Sequence, residues 1–82
     1  MTIIDVVSGK LCIWTVYEHP TDYPAQYIAR QFIVDREPIP TPRALFADTL
    51  DELREILKFL YPNLICFPRD PSDEPQIVET WL

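Results

Sequence analysis

Two stretches of alternating and β-branched apolar residues near the start of the chain predict a pair of strands. Leu11–Tyr17 is rich in β-forming side chains, and Tyr27–Val34 has the same character. Between them lies a polar stretch bounded by prolines, Glu18–Pro24, which favours a turn. Sequential strands with a short link usually pair as an antiparallel hairpin, and we expect that arrangement here.

The next strong pattern has helical rather than strand periodicity. Thr49 followed by Glu52 is the capping-box spacing, and Asp48 is an alternative N-cap. Pro62 ends the predicted helix, because the residue before a proline is disfavoured in the α region. The apolar face consists of Leu50, Leu53, Ile56, Leu57 and Leu60, and the polar face of Asp51, Glu52, Arg54, Glu55 and Lys58.

The remaining segments complete an α+β fold. Prolines at alternate positions in Pro38–Pro42 predict a stiff, polyproline-like connector without ladder hydrogen bonds. Short strands are predicted at Ala44–Ala47, at Leu64–Phe67 as a buried strand, and at Gln76–Trp81. The order ββ(β)αββ predicts one domain, residues 1–82, with a four- or five-stranded, mostly antiparallel sheet and one helix on one face. A right-handed crossover should join Ala44–Ala47 to Leu64–Phe67.

One helix of about eleven residues is ~16 Å long and ~10 Å wide, which is too little to cover such a sheet. The second face should then be polar, yet neither alternate set of residues in the two long strands is polar. This face therefore binds another copy of the chain, binds a different protein, or is covered by the N-terminal segment and the proline loop. A monomer with both tryptophans buried would weaken the association hypotheses. The predicted anchors are Trp14, Tyr17, Arg30 and Trp81.

Charge limits the partners. Thirteen acidic and seven basic side chains give a net charge of −6, which disfavours nucleic acid and anionic membranes and favours a basic protein surface. The N-terminus lacks the basic and apolar regions of a signal peptide, and no apolar run is long enough to span a membrane. We expect a cytoplasmic protein.

Candidate chemistry is sparse. Cys12 and Cys66 sit in apolar runs and are expected to be reduced core residues rather than zinc ligands or a disulfide. His19, beside Glu18 and Asp22, could act as a general base with Cys12 or a hydroxyl as nucleophile, but a surface histidine is the favoured interpretation. Gly9 is the only glycine, which leaves no recognisable phosphate or oxyanion loop. We expect no catalysis, no metal and no cofactor.

Acidic residues suggest a second hypothesis. Under this hypothesis, seven carboxylates in the first turns of the helix and in the loop after Phe67 lie close together and mimic phosphates: Asp48, Asp51, Glu52, Glu55, Asp70, Asp73 and Glu74. Such a surface would mask a basic nucleic-acid-binding groove, as in a phage-type anti-defence inhibitor. Ordinary solubility is the favoured interpretation of these charges. The leading expectation is a small, non-catalytic protein–protein interaction module that self-associates through the apolar sheet face.

The chain resembles small uncharacterised bacterial proteins that open with W-x-V-Y-x-x-P-x-D-Y-P, here Trp14 to Pro24. The resemblance continues through a strand like Tyr27–Arg30, a helix opened by Ala47–Leu50, and an ending like Phe67–Arg69 with Val78–Trp81. It covers the chain from Ile13 onwards. It implies a compact bacterial domain and carries over no catalytic or binding residue.

Overall fold

The computed structural model describes residues 6–7 and 10–82. These residues form six strands and one helix: β1 Val6–Val7, β2 Lys10–Glu18, β3 Tyr27–Asp35, β4 Glu37–Ala47, α1 Leu50–Leu60, β5 Cys66–Pro68 and β6 Ile77–Trp81. Five strands lie in the order β4-β3-β2-β6-β5, and β1 pairs with the first residues of β2. Every neighbouring pair is antiparallel, and the helix packs on one face. The predicted α+β class is confirmed.

The proline-rich segment is part of a strand, so the prediction of a connector without ladder hydrogen bonds is wrong. β4 runs continuously over Glu37–Ala47, and Pro38 and Pro40 pair with Val34 and Phe32. In an antiparallel ladder only every second residue points its N–H at its neighbour. Prolines at alternate positions occupy the places where the backbone nitrogens face away from β3, so this edge strand keeps its ladder of hydrogen bonds to β3.

The last two strands also differ in part from prediction. β5 was expected to be buried, but it is a short edge strand whose three residues are exposed. β4 and β5 run in the same direction but lie at opposite edges, with three strands between them, so the expected crossover does not join neighbours. The final strand β6 enters between β2 and β5, which separates the two ends of the connection.

The helix begins and ends as its sequence predicts. Thr49 Oγ1 accepts a hydrogen bond from the Glu52 backbone N–H at 3.1 Å, and Tyr61 forms the C-terminal cap. Leu53 and Leu57 are fully buried. They pack on the sheet against a cluster that includes Trp14, Val16, Ala29, Ala47 and Trp81. This cluster is the core of the domain.

One buried carboxylate ties the helix to the sheet. Glu79 on β6 is 3% exposed and accepts two hydrogen bonds from Arg54 of α1, Nη2 to Oε1 at 2.8 Å and Nε to Oε2 at 3.1 Å. The indole Nε1 of Trp81 donates to the same Oε2 at 2.9 Å. Burial opposes ionisation of Glu79, but these donors outweigh it and lower the pKa of the carboxyl. The position of α1 is therefore fixed by a charged pair as well as by leucines.

Candidate functional site

Strand pairing assigns each residue to one face of the sheet, because residues directly opposite each other share a face. Val16, Ala29 and Trp81 belong to the core under α1. The residues that alternate with them along each strand therefore point to the other side of the sheet, which we call the open face. One line of this face crosses all five strands. We call it the apolar row: Ile65, Leu82, Ile13, Phe32 and Pro40.

The open face remains apolar well beyond this row. Ile65 is 61% exposed, and Leu11, one residue pair away from the row, is 48% exposed. Leu82, Phe67 and Phe46 on the same face are also exposed. An antiparallel sheet with one solvated face normally alternates apolar and polar residues, and here that alternation is missing. A contiguous apolar surface of this kind marks an interaction site.

The chain covers only one corner of the open face within the described residues. The loop of residues 19–26 folds over the end of the hairpin, where Ile28 is fully buried. In that corner the ring of Tyr23 meets Phe46 edge-on, with centroids 4.9 Å apart. The proline segment predicted to act as a cover is itself strand β4. Residues 1–5 and 8–9, the other predicted cover, lie outside the described residues.

A depression of 560 Å³ lies beside the apolar row at this end of the open face. Tyr17, Phe32 and Pro40 are among its lining residues, and Pro20, Thr21, Asp22, Arg30, Glu74 and Gln76 complete it. Arg30 Nη2 donates to Asp22 Oδ2 at 2.6 Å, and its guanidinium lies 5.6 Å from the centre of the Tyr17 ring. The depression therefore combines an aromatic and proline surface with one cation and two carboxylates.

The ionisable groups of the depression shift one another's pKa values. Partial burial raises the pKa of the Tyr17 hydroxyl, and the Glu74 carboxylate raises it further, while Arg30 acts in the opposite sense. Asp73 also raises it. The hydrogen bond from Arg30 lowers the pKa of Asp22. Acidic charge from two loops is thus concentrated around Tyr17.

Both edges of the sheet offer few donors for pairing with another strand. On β4 the prolines at 38 and 40 occupy positions whose nitrogens face outwards, so the free edge has no N–H there. On β5, Ile65 and Leu82 exchange both backbone hydrogen bonds, which places the nitrogens of Cys66 and Pro68 outwards. Of these two nitrogens, only that of Cys66 carries a proton, because a proline nitrogen has none. Short or proline-bearing edges are typical of sheets protected against edge pairing.

The four predicted anchors separate onto two faces. Tyr17 and Arg30 line the depression on the open face. Trp14 and Trp81 are 1% and 4% exposed under α1, so their side chains are not available to a partner in this structure. The exposed residues Ile65 and Leu82 were missed because anchors were chosen by residue type. The strand register, which the sequence pattern alone left open, is the signal that places them.

The seven predicted acidic residues also do not share one face. Asp48, Asp51, Glu52 and Glu55 belong to the start of α1, on the covered side. Glu74 lines the depression on the opposite side. Asp70 and Asp73 hold their own loop: Asp70 accepts from the Ser72 backbone N–H at 2.9 Å, and Asp73 accepts from the Asp70 backbone N–H at 3.0 Å.

The described residues give little support to chemistry at His19. This residue follows the end of β2, seven positions after Cys12, and an extended strand of that length spans about 23 Å. Cys12 is buried on the helix side, whereas His19 is exposed and meets the Tyr27 ring edge-on at 5.1 Å. The two side chains are therefore not within reach of each other.

Neither cysteine is in a disulfide: Cys12 is buried as expected, but Cys66 is exposed on β5. Burial and the neighbouring Glu79 raise the pKa of the Cys66 thiol. Across the part of the chain that the structure describes, no cluster of three or more histidine, cysteine or acidic side chains forms a metal site. In that same part, no helix is long and apolar enough to cross a membrane.

Comparison with known proteins gave no relatives. No family model matches the chain. No curated protein and no solved structure matches it either.

Proposed function

We propose that this protein is a small, non-catalytic interaction module that self-associates by packing the open faces of two copies against each other. The observation that carries the proposal is the apolar row, which crosses the whole sheet and is left without cover by the described residues. The product would be two sheets stacked about 10 Å apart and rotated by about 30°, with one helix on each outer side.

The area of the open face suits a second copy of the chain. Strands β2 and β3 have nine residues each, or about 30 Å, and five strands at ~4.8 Å spacing span about 24 Å. Because β5 and β6 are shorter, the 37 residues of the five strands give an outline of roughly 590 Å², somewhat below the ~800 Å² that each partner buries in a standard interface. A second copy matches this outline by construction, since a two-fold interface joins the same patch on both subunits.

The edges of the sheet favour association by faces rather than by added strands. Pro38 and Pro40 remove outward donors from one edge, and the other edge is only three residues long. A partner that extends the sheet would need a row of unpaired N–H groups, which the proline-bearing half of β4 and the short β5 do not offer. The open face is the larger unsatisfied surface.

The small size of the domain gives association a thermodynamic role. A chain of 82 residues buries only about 60–65% of its unfolded surface, and such a core rarely contributes more than ~3–5 kcal/mol of net stability. Burial of the apolar row between copies would add to this stability. The two buried tryptophans serve the core instead, so the interface relies on aliphatic residues and Phe32.

The proposal places the protein in the cytoplasm and gives it no cofactor, nucleic acid or membrane contact, on the grounds of its sequence and charge. An inhibitor that masks a basic surface is the second candidate, and it has less support. Its seven carboxylates are divided between the helix side and the open side of the sheet. A net charge of −6 still favours a basic surface wherever a different protein is bound.

Sedimentation equilibrium at micromolar concentration tests the proposal. We expect a mass of twice 9.6 kDa that falls to the monomer value on dilution. Ile13→Lys and Ile65→Lys each place a charge in the apolar row, and each should shift the equilibrium to monomer. Ile65 is exposed and Ile13 is half-buried on the open face, so folding should survive most clearly in Ile65→Lys, which far-ultraviolet circular dichroism checks.

Phe59→Lys is the matched control. Phe59 is 86% exposed on α1, away from the open face, so the same change in polarity there should leave dimerisation unaltered. A wild-type chain that stays monomeric across the concentration range would refute the proposal. Loss of the dimer in Phe59→Lys but not in the two row variants would assign association to the wrong side of the molecule.

A further inference from the structure

The depression on the open face has an excess of negative charge that its own arginine does not balance. Arg30 is already bonded to Asp22 and lies against Tyr17. Glu74 is a second lining carboxylate, and Asp73 is close enough to act on the Tyr17 hydroxyl. A cation brought in by the occupant would therefore find one unbalanced carboxylate at an aromatic wall.

At the opposite end of the open face, among the side chains that the structure describes, Arg36 is the exposed cation. Asp35 pairs with Glu37, so Arg36 is the one residue of the turn between β3 and β4. Asp35 and Glu37 share the face of the paired residues Ile33 and Ile39, which is the helix side. Arg36 has a φ of 74°, and the side chain at this turn is exposed. It is the charge that a second copy meets at this end of the sheet.

These two ends are equidistant from the apolar row. From Phe32, four residues lead forwards to Arg36 and four lead back to Ile28, the partner of Tyr17. Four residues of strand correspond to about 13 Å in each direction. A two-fold axis that runs along the apolar row reverses the strands and keeps each strand over its counterpart. The end that carries Arg36 in one copy then lies over the loop of residues 19–26 in the other, whose residues Pro20, Thr21 and Asp22 form one wall of the depression.

The twist of packed sheets does not remove this overlap. A rotation of about 30° displaces a point 13 Å from the axis by about 7 Å, or one to two strand spacings. The depression extends over three strands, with Tyr17 on β2, Arg30 on β3 and Pro40 on β4. A rotation that moves the turn towards β2 keeps it above the depression, and the pairing inferred below requires this sense of rotation.

We infer that, in the self-associated form proposed above, Arg36 of each copy inserts into the depression of the other and pairs with Glu74. This inference rests on the proposed function and specifies its geometry. The depression would bind a guanidinium group. The strands of the two copies would run in opposite directions, related by a two-fold axis along the apolar row. The interface would contain the arrangement twice, once at each end.

A charge-exchange cycle tests this pairing through the dimer dissociation constant. Arg36→Glu and Glu74→Arg should each raise the constant by about tenfold or more, because each places like charges together at both ends of the interface. The double variant Arg36→Glu/Glu74→Arg should return to within about threefold of the wild type. The neutral variants Arg36→Gln and Glu74→Gln should weaken the dimer less, and they avoid any local repulsion with Arg30.

Two further charge reversals serve as controls. Arg43→Glu on β4 and Glu55→Arg on α1 change net charge by the same amount but lie outside the pairing, so dimerisation should change by less than about threefold. A dimeric wild type whose single variants behave like these controls, or whose double variant is no better than the weaker single, would overturn the inference and leave the proposed function standing. A monomeric wild type would overturn both.

Discussion

At the scale of single residues, the two tryptophans differ in the partners of their indole N–H groups. Trp81 Nε1 donates to the buried Glu79 carboxylate at 2.9 Å. Trp14 lies against Tyr61, with ring centroids 5.4 Å apart, and no group among the described residues accepts a hydrogen bond from its Nε1. A buried donor without a partner costs about 1–3 kcal/mol, whereas a bond to a charged acceptor stabilises.

Replacing each tryptophan by phenylalanine separates these effects. Trp81→Phe and Trp14→Phe lose the same ring atoms, but only the first removes a hydrogen bond from a buried charge. We expect the free energy of unfolding, measured by urea denaturation, to fall by about 1–3 kcal/mol more in Trp81→Phe. Equal losses, or a larger loss in Trp14→Phe, would contradict this account of the core.

Glu79 makes the stability of the fold dependent on pH. Its folded pKa is lowered from the usual 4.5, so its stabilising effect is complete above the unfolded pKa and is lost as pH falls through the folded value. At pH 7, Glu79→Gln should lower the free energy of unfolding by about 3 kcal/mol. That difference from wild type should shrink progressively as the pH falls from the unfolded pKa of 4.5 through the lower folded pKa, because the wild-type carboxylate takes up a proton over this range.

The matched control for this experiment is Glu55→Gln. Glu55 forms an exposed pair with Lys58 at 3.7 Å, and such a surface pair contributes less than about 0.5 kcal/mol. Asp22 and Asp70 also have lowered pKa values, but they are present in both proteins, so the comparison isolates Glu79. A wild-type-to-variant difference that stays constant from pH 7 to pH 3 would show that the ion pair is not the cause.

At the scale of elements, prediction succeeded where local chemistry decides the outcome. The helix follows from Thr49, its leucine spacing and Pro62, and the long hairpin follows from two β-rich runs with a short link. β4 was divided wrongly because a proline disrupts a strand only when its nitrogen faces a neighbour. That orientation depends on strand register, which the residue pattern does not specify. The edge position of β5 likewise depends on where β6 enters the sheet.

The prolines of β4 should act as a barrier to edge pairing. Pro38→Val/Pro40→Val keeps these side chains apolar and restores two outward N–H groups, so we expect edge-to-edge aggregation, measured by light scattering and thioflavin T fluorescence. Pro71→Val/Pro75→Val, in the loop before β6, is the control and should remain clear of aggregate. No difference between the two pairs of variants would mean that the β4 edge is protected by something other than its missing donors.

At the scale of the whole molecule, the shortfall of helix over sheet could be foreseen from the sequence, and residues 6–7 and 10–82 contain one helix, which packs on one face. The composition of the uncovered face could not be foreseen in full. Ile65 and Leu82 join it only because β5 and β6 pair beyond the ends of their assigned strands. Both tryptophans were expected at the surface as anchors, but large aromatic side chains fill the space under a small helix most effectively.

In the proposed dimer, two copies meet through their open faces. Isotope-filtered nuclear Overhauser measurements on an equimolar mixture of carbon-13-labelled and unlabelled chains test it directly. We expect contacts between copies from the methyl groups of Ile13 and Leu82 and from the ring of Phe32. Intermolecular contacts confined to Phe59 or to the edge strands, or none at concentrations where scattering detects a dimer, would contradict it.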